Sequence, residues 1–164
     1  MHIWNIKALK KELAANALTE SQVFAYFLAV LTLETLLYQL AAFFPGTGEA
    51  DVWDYAGYLG SVVFTVGGTL VAYRQNGGSA GRGFLGRYFP LVWVLTVRFL
   101  VFMIPVLVLA MIPVFYFSET LFETDAADED FAALSMYVVL LSWGWFLAFY
   151  YRLAVHTREV ARAA

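Results

Sequence analysis

An all-α membrane protein, an antiparallel bundle of four transmembrane helices preceded by a short N-terminal amphipathic interfacial helix, is the fold the sequence predicts. Three observations carry that expectation. The 164 residues are 62% hydrophobic and 14% charged, against roughly 25% charged in an ordinary soluble domain. Four apolar stretches each reach the roughly 20 residues that a helix rising about 1.5 Å per residue needs to cross a hydrocarbon core of about 30 Å. The charges alternate in sign from one connection to the next.

The first element spans residues 1–18. Ile3, Ile6, Leu9 and Leu13 recur at helical spacing, with Lys7, Lys10 and Lys11 elsewhere on the wheel, so a helix at the headgroup level is expected. Its lysines would meet anionic lipid, at about 1 kcal/mol each. Entry into the membrane is the plain role for such a segment, and docking of a partner is the other. The basic cluster leads into a polar stretch, residues 16–22, rather than an apolar core with a cleavage site, so no cleavable signal peptide is expected.

Thr19 and Gln22 have the spacing of a capping box, which starts the first crossing near Glu20. It extends over residues 20–44, to the stop made by Pro45 and Gly46. The second crossing, residues 53–73, places Ala56, Gly57, Gly60, Ser61, Gly67 and Gly68 three and four residues apart, a stripe suited to close helix packing within the unit or between copies. Residues 74–88 form a Gly/Arg loop whose Asn76-Gly77 signals a turn. The third crossing, residues 89–117, contains Pro105 and Pro113 and is expected to bend. Residues 131–151 make the fourth, closed by Tyr150, Tyr151 and Arg152, and residues 152–164 are read as a tail.

The bases sort with unusual clarity. Lys7, Lys10, Lys11, Arg74, Arg82, Arg87, Arg152, Arg158 and Arg162 fall in the termini and the central loop. The other two loops carry Glu49, Asp51 and Asp54, and Glu119, Glu123, Asp125, Asp128, Glu129 and Asp130, without Lys or Arg. Both termini and the central loop are therefore expected in the cytoplasm, with the chain a single multi-pass domain in a bacterial inner membrane. The acidic run lacks the Asp, Asn and Gly spacing of an EF-hand.

Two ionisable residues fall deep in the apolar stretches. Glu34 lies about 18 Å beyond Gln22 and Arg98 about 15 Å beyond Tyr88 at helical rise. A charge near the midplane costs about 2.5 to 3.5 kcal/mol on insertion scales. Opposite sign and similar depth lead to the expectation of a Glu34–Arg98 ion pair, with Tyr38 one turn away as a further donor. Arg82 and Arg87, beside Phe84, Leu85, Tyr88 and Phe89, are expected to contact lipid phosphate, as are the three N-terminal lysines.

Two resemblances follow from these residues. Gly77, Gly78, Gly81, Arg87 and Tyr88 resemble the Gly-Gly-x-x-Gly and Arg-Tyr signature of small four-helix fluoride channels, where the signature opens the first helix with a tighter spacing. Their function is not carried over. Glu34 in the first of four helices resembles the acid of small multidrug exporters, which implies exchange of protons for cationic substrates. This chain is longer, has Arg98 as well and carries a strong charge bias.

Enzymatic function is not expected. His2 and His156 lie in the ends, no Ser, His and Asp set or metal-ligand pair falls at one depth, and there is no cysteine. No cofactor, metal or catalytic residue is assigned, and a net charge of −3 with scattered arginines argues against nucleic acid. The expected role is a non-enzymatic membrane component acting by homo-oligomerisation or by assembly with a membrane or cytoplasmic protein. The alternative is a small oligomeric transporter or channel using Glu34 and Arg98. The one-turn neighbours of Glu34, among them Val30, Leu31 and Leu37, are mostly apolar and favour the first.

Overall fold

A computed structural model describes residues 2–41, 52–81, 83–121 and 127–164. The described residues are helical apart from turns: α1 (Ile6–Ala14), α2 (Glu20–Ala41), α3 (Val52–Gln75), a 3-10 turn (Gly78–Ala80), α4 (Phe84–Leu121) and α5 (Ala127–Ala163). The long helices α2 to α5 are each long and apolar enough to cross a membrane. The Pro45–Gly46 stop, Arg82 and the acids Glu49, Asp51, Glu123 and Asp125 lie outside the described residues.

Local chemistry sets the helix starts. Asn5 caps α1 by accepting from the Ala8 amide at 3.0 Å. The capping box at α2 is reciprocal: the Thr19 amide donates to Gln22 Oε1 at 2.8 Å, and the Gln22 amide donates to Thr19 Oγ1 at 3.3 Å. Asn76 is buried, Gly77 turns the chain at φ +100°, and the 3-10 turn follows, so the connection is tight. Gly83, at φ +62°, delivers the chain into α4.

Contacts sort the four long helices into two parallel pairs. Gly57 meets Val139, Gly60 meets Trp143 and Gly68 meets Tyr150, a constant register that runs α3 and α5 in the same direction. Phe64 stacks on Phe146 with centroids 6.1 Å apart, in the same register. Likewise Phe27 meets Phe89 edge-on at 4.8 Å and Val23 lies nearest Gly86, which makes α2 and α4 parallel. Antiparallel α4 and α5 join the pairs through Phe99 against Trp145 and Phe149. Thus α2 packs on α4 rather than on α3, its neighbour in sequence. The close fit of α3 on α5 comes from its glycines, which admit Val139, Trp143 and Tyr150.

Three expected boundaries move. The segment taken as a tail is the end of α5: Leu153, Thr157 and Val160 are buried, at spacings of four and three that face one side. The third crossing begins earlier, at Phe84, and continues through Pro105 and Pro113. The N-terminal helix is shorter than expected and lies against the bundle. Ile6, Leu9 and Leu13 join the core with Leu91, Leu95, Leu153 and Val160, so its apolar face meets protein instead of lipid. Lys10 donates to Glu159 at 2.6 Å across the α1–α5 contact. At one end of α1, Asn16 lies beside Arg87, and at the other Trp4 lies beside Arg98, so α1 runs antiparallel to the first half of α4.

Candidate functional site

Glu34 sits at the fifteenth position of α2, about 21 Å along it from Glu20 at ordinary helical rise. Its side chain is exposed, yet the helix turn on which it stands faces a cavity of about 440 Å³ to which all four long helices contribute. Val30, Leu31, Glu34 and Leu37 come from α2 and Thr65 from α3. Tyr88, Phe89, Val92, Thr96 and Phe99 come from α4, and Trp145, Phe146, Phe149 and Tyr150 from α5. The polar side chains among the lining residues are those of Glu34, Thr65, Thr96, Trp145, Tyr88 and Tyr150. The Tyr88 hydroxyl is tied to Thr69 Oγ1 at 2.9 Å, which fixes its ring at the wall.

Glu34 thus shares a cavity with aromatic residues of α4 and α5. Aromatic rings carry negative charge on their faces and favour a cation by about 0.5 to 2 kcal/mol each, more when water is excluded. The polar groups that accompany Glu34 belong to α3, α4 and α5, so inspection of one helix wheel does not find them. Thr65 and Thr96 carry no signal in the sequence that links them to Glu34.

Arg98 is elsewhere. Its Nε and Nη2 donate to the Trp4 carbonyl at 3.0 and 2.6 Å, and its guanidinium lies 5.3 Å from the centroid of the Trp4 ring. It lines a second cavity, of about 570 Å³, with Leu95, Phe102, Tyr151, Arg152 and His156. Among the described residues no ion pair joins Glu34 to Arg98. The reason is azimuth: Thr96, Phe99, Leu100 and Met103 of α4 face the Glu34 cavity, whereas Leu95, Arg98 and Phe102 face the other. Phe99 and Trp145 border both and stand between the two charges. Tyr38 is 77% exposed and makes no hydrogen bond to Glu34.

The remaining expected contacts divide. Lys7 and Lys11 are exposed on α1, while Lys10 is engaged by Glu159. Arg87 does not face the surface: it is only 8% exposed and donates from Nη1 to Asn76 Oδ1 at 3.1 Å and from Nη2 to Asn16 Oδ1 at 3.4 Å. Of the small residues in α3, Gly57, Gly60 and Gly68 face α5, and Gly67 faces open space. Ser61 bonds back to the Tyr58 carbonyl at 2.8 Å, and Ala56, like Ser61, is half-buried.

Outside the apolar stretch, Glu159 accepts from Lys10 and lies 3.1 Å from His156 Nδ1. These hydrogen bonds, that of Lys10 first, hold its carboxyl down at about 2. Burial lowers the affinity of His156 for a proton, against the opposing pull of Glu159. No protein-family model, curated protein or solved structure matches the chain.

Proposed function

We propose that this is a non-enzymatic multi-pass membrane protein that binds an organic cation in the cavity around Glu34. The observation that carries the reading is the carboxylate placed with Tyr88, Phe89, Trp145, Phe149 and Tyr150 on one cavity wall system within the membrane-crossing helices. A charged carboxylate in lipid needs a counter-charge, and none of the ion pairs among the described residues includes Glu34. Rings on the facing helices favour a cation with an apolar body, and about 440 Å³ suits a small organic ion. A carboxylate takes either a proton or such a cation, so the two compete for one site, which is the logic of an exchanger.

In this reading both termini, the Gly-rich turn and the end of α5 lie on the cytoplasmic face. The nine bases in or next to those segments and the nine acids in or next to the other two connections support that orientation. Assembly belongs to the same proposal. With α2 packed on α4, Glu34 stays exposed, and a second copy seated against it would complete the wall.

The test is equilibrium binding of tetraphenylphosphonium to the purified protein in dodecyl maltoside. Saturable binding that weakens at least about tenfold in Glu34→Gln is expected, that factor corresponding to about 1.4 kcal/mol. Equal binding by both proteins, or no saturable binding by either, refutes the proposal. Light scattering in the same detergent should give a dimer or larger assembly, and a monomer contradicts the assembly part.

A further inference from the structure

A guanidinium cannot neutralise itself by losing its proton, so a buried arginine needs an anion or a complete set of acceptors. Arg87 has neither. It is only 8% exposed, its two bonded partners are the neutral amide oxygens of Asn76 and Asn16, and its Nε is buried without a partner. No carboxylate pairs with it among the described residues. The expense is concentrated at one place in the fold. Arg87 lines a cavity of about 630 Å³ beneath the Gly-rich turn, with Asn16, Asn76, Gly81 and Gly83 and, from the end of α5, Ala161 and Ala164.

A second feature points the same way. Arg87 is the fourth residue of α4, a helix of 38 residues, and Gly83, which leads into that helix, lines the same cavity. A helix start and an unneutralised arginine both favour negative charge, and the planar fork of arginine suits a tetrahedral oxyanion. Asn16, at φ +47°, and Asn76 hold the fork from either side, one from the end of α1 and one from the end of α3. The site therefore exists only when α1 is docked on the bundle.

We propose that this cavity binds a phosphate group, carried by a lipid headgroup or by a free phosphate, and that the bound anion helps to hold α1 in place. The site is separate from the Glu34 cavity and does not depend on the reading given to it. Inorganic phosphate and lipid share the chemistry and are told apart by delivery.

The experiment uses the full chain in dodecyl maltoside and reads thermal unfolding in three arms: inorganic phosphate against chloride of equal ionic strength, added phosphatidylglycerol, and added diacylglycerol, which lacks phosphate. A saturable rise of several degrees with phosphate identifies a free anion. A rise with phosphatidylglycerol alone, absent with diacylglycerol, identifies the headgroup. In Arg87→Gln the rise should vanish. In Arg87→Lys, which keeps the charge and loses the fork, the half-saturating concentration should increase several-fold. If the parent protein shows no rise in any arm beyond chloride and diacylglycerol, or if Arg87→Lys responds as the parent does, the proposal is overturned. The parent titration decides even where Arg87→Gln does not fold.

Discussion

Gly67 and Gly68 are adjacent on α3 and differ in what a methyl group would meet. At Gly67 a Cβ has nothing within 4 Å, whereas at Gly68 it falls into the Cβ, Cγ and Cδ1 atoms of Tyr150. Those atoms sit at the base of the ring, next to the α5 backbone, so rotation of the tyrosine does not clear the overlap and the two helices must separate. Replacing glycine by alanine inside a helix contributes about 0.5 to 1 kcal/mol in either case. Overpacking at Gly68 costs about 1 to 3 kcal/mol on top. Gly68→Ala should therefore be less stable than Gly67→Ala by about 1 to 3 kcal/mol, a gap of roughly 2 to 4 °C per kcal/mol for a chain of this size. Thermal unfolding of both variants in one detergent reads the gap directly. Adding Tyr150→Ala to Gly68→Ala should recover at least about 1 kcal/mol relative to the sum of the single changes. Equal unfolding temperatures for the two alanine variants, or strict additivity with Tyr150→Ala, would refute the parallel packing of α3 on α5.

Other outcomes follow from the same contacts. Arg98→Leu should free α1, seen as protease cleavage within residues 2–14, while Trp4→Leu should keep the backbone acceptor and lose only the ring contact, about 0.5 to 2 kcal/mol. Glu34→Gln and Arg98→Leu should add within about 0.5 kcal/mol in a double-mutant cycle, because Phe99 and Trp145 separate them; a larger coupling would contradict that separation. The Glu159 carboxyl is held below its ordinary value, so its contribution to docking α1 is complete above about 4.5 and fades as pH falls towards about 2. Protection of the α1 amides, taken relative to intrinsic exchange at each pH, should fall over that window, and Glu159→Gln should show the lower protection already at neutral pH; protection indifferent to both changes would remove Glu159 from the clamp.

The helices themselves were legible because apolar length and caps are local signals. Four runs of sufficient length, the Thr19–Gln22 box and the Asn76-Gly77 turn each found their element. Pairing was less so. Hydropathy says that a helix crosses, not which face meets which neighbour, and the parallel register of α3 with α5 depends on shape fit between glycines and rings. The Glu34–Arg98 expectation failed on the same ground: depth along a helix can be counted, but azimuth cannot be assigned without a packing partner. Residues 152–163 did carry a readable signal, since Leu153, Thr157 and Val160 recur on one helical face, but the charges of Arg152, Arg158 and Arg162 obscured it. The Glu34 cavity was legible only as its carboxylate, because Thr65, Thr96, Trp145 and Tyr150 reach it from three other helices.

Whether Glu34 is the acid that an organic cation covers is tested most directly by its own reactivity. Dicyclohexylcarbodiimide is an apolar reagent that converts accessible carboxyl groups in membranes to stable adducts. Peptide mapping by mass spectrometry of the treated protein should place the main adduct within the membrane-crossing segments on Glu34, and saturating tetraphenylphosphonium should reduce that adduct at least several-fold while leaving modification of Glu12 and Glu20 unchanged. Modification of Glu34 that proceeds at the same rate with and without the bound cation would contradict the account.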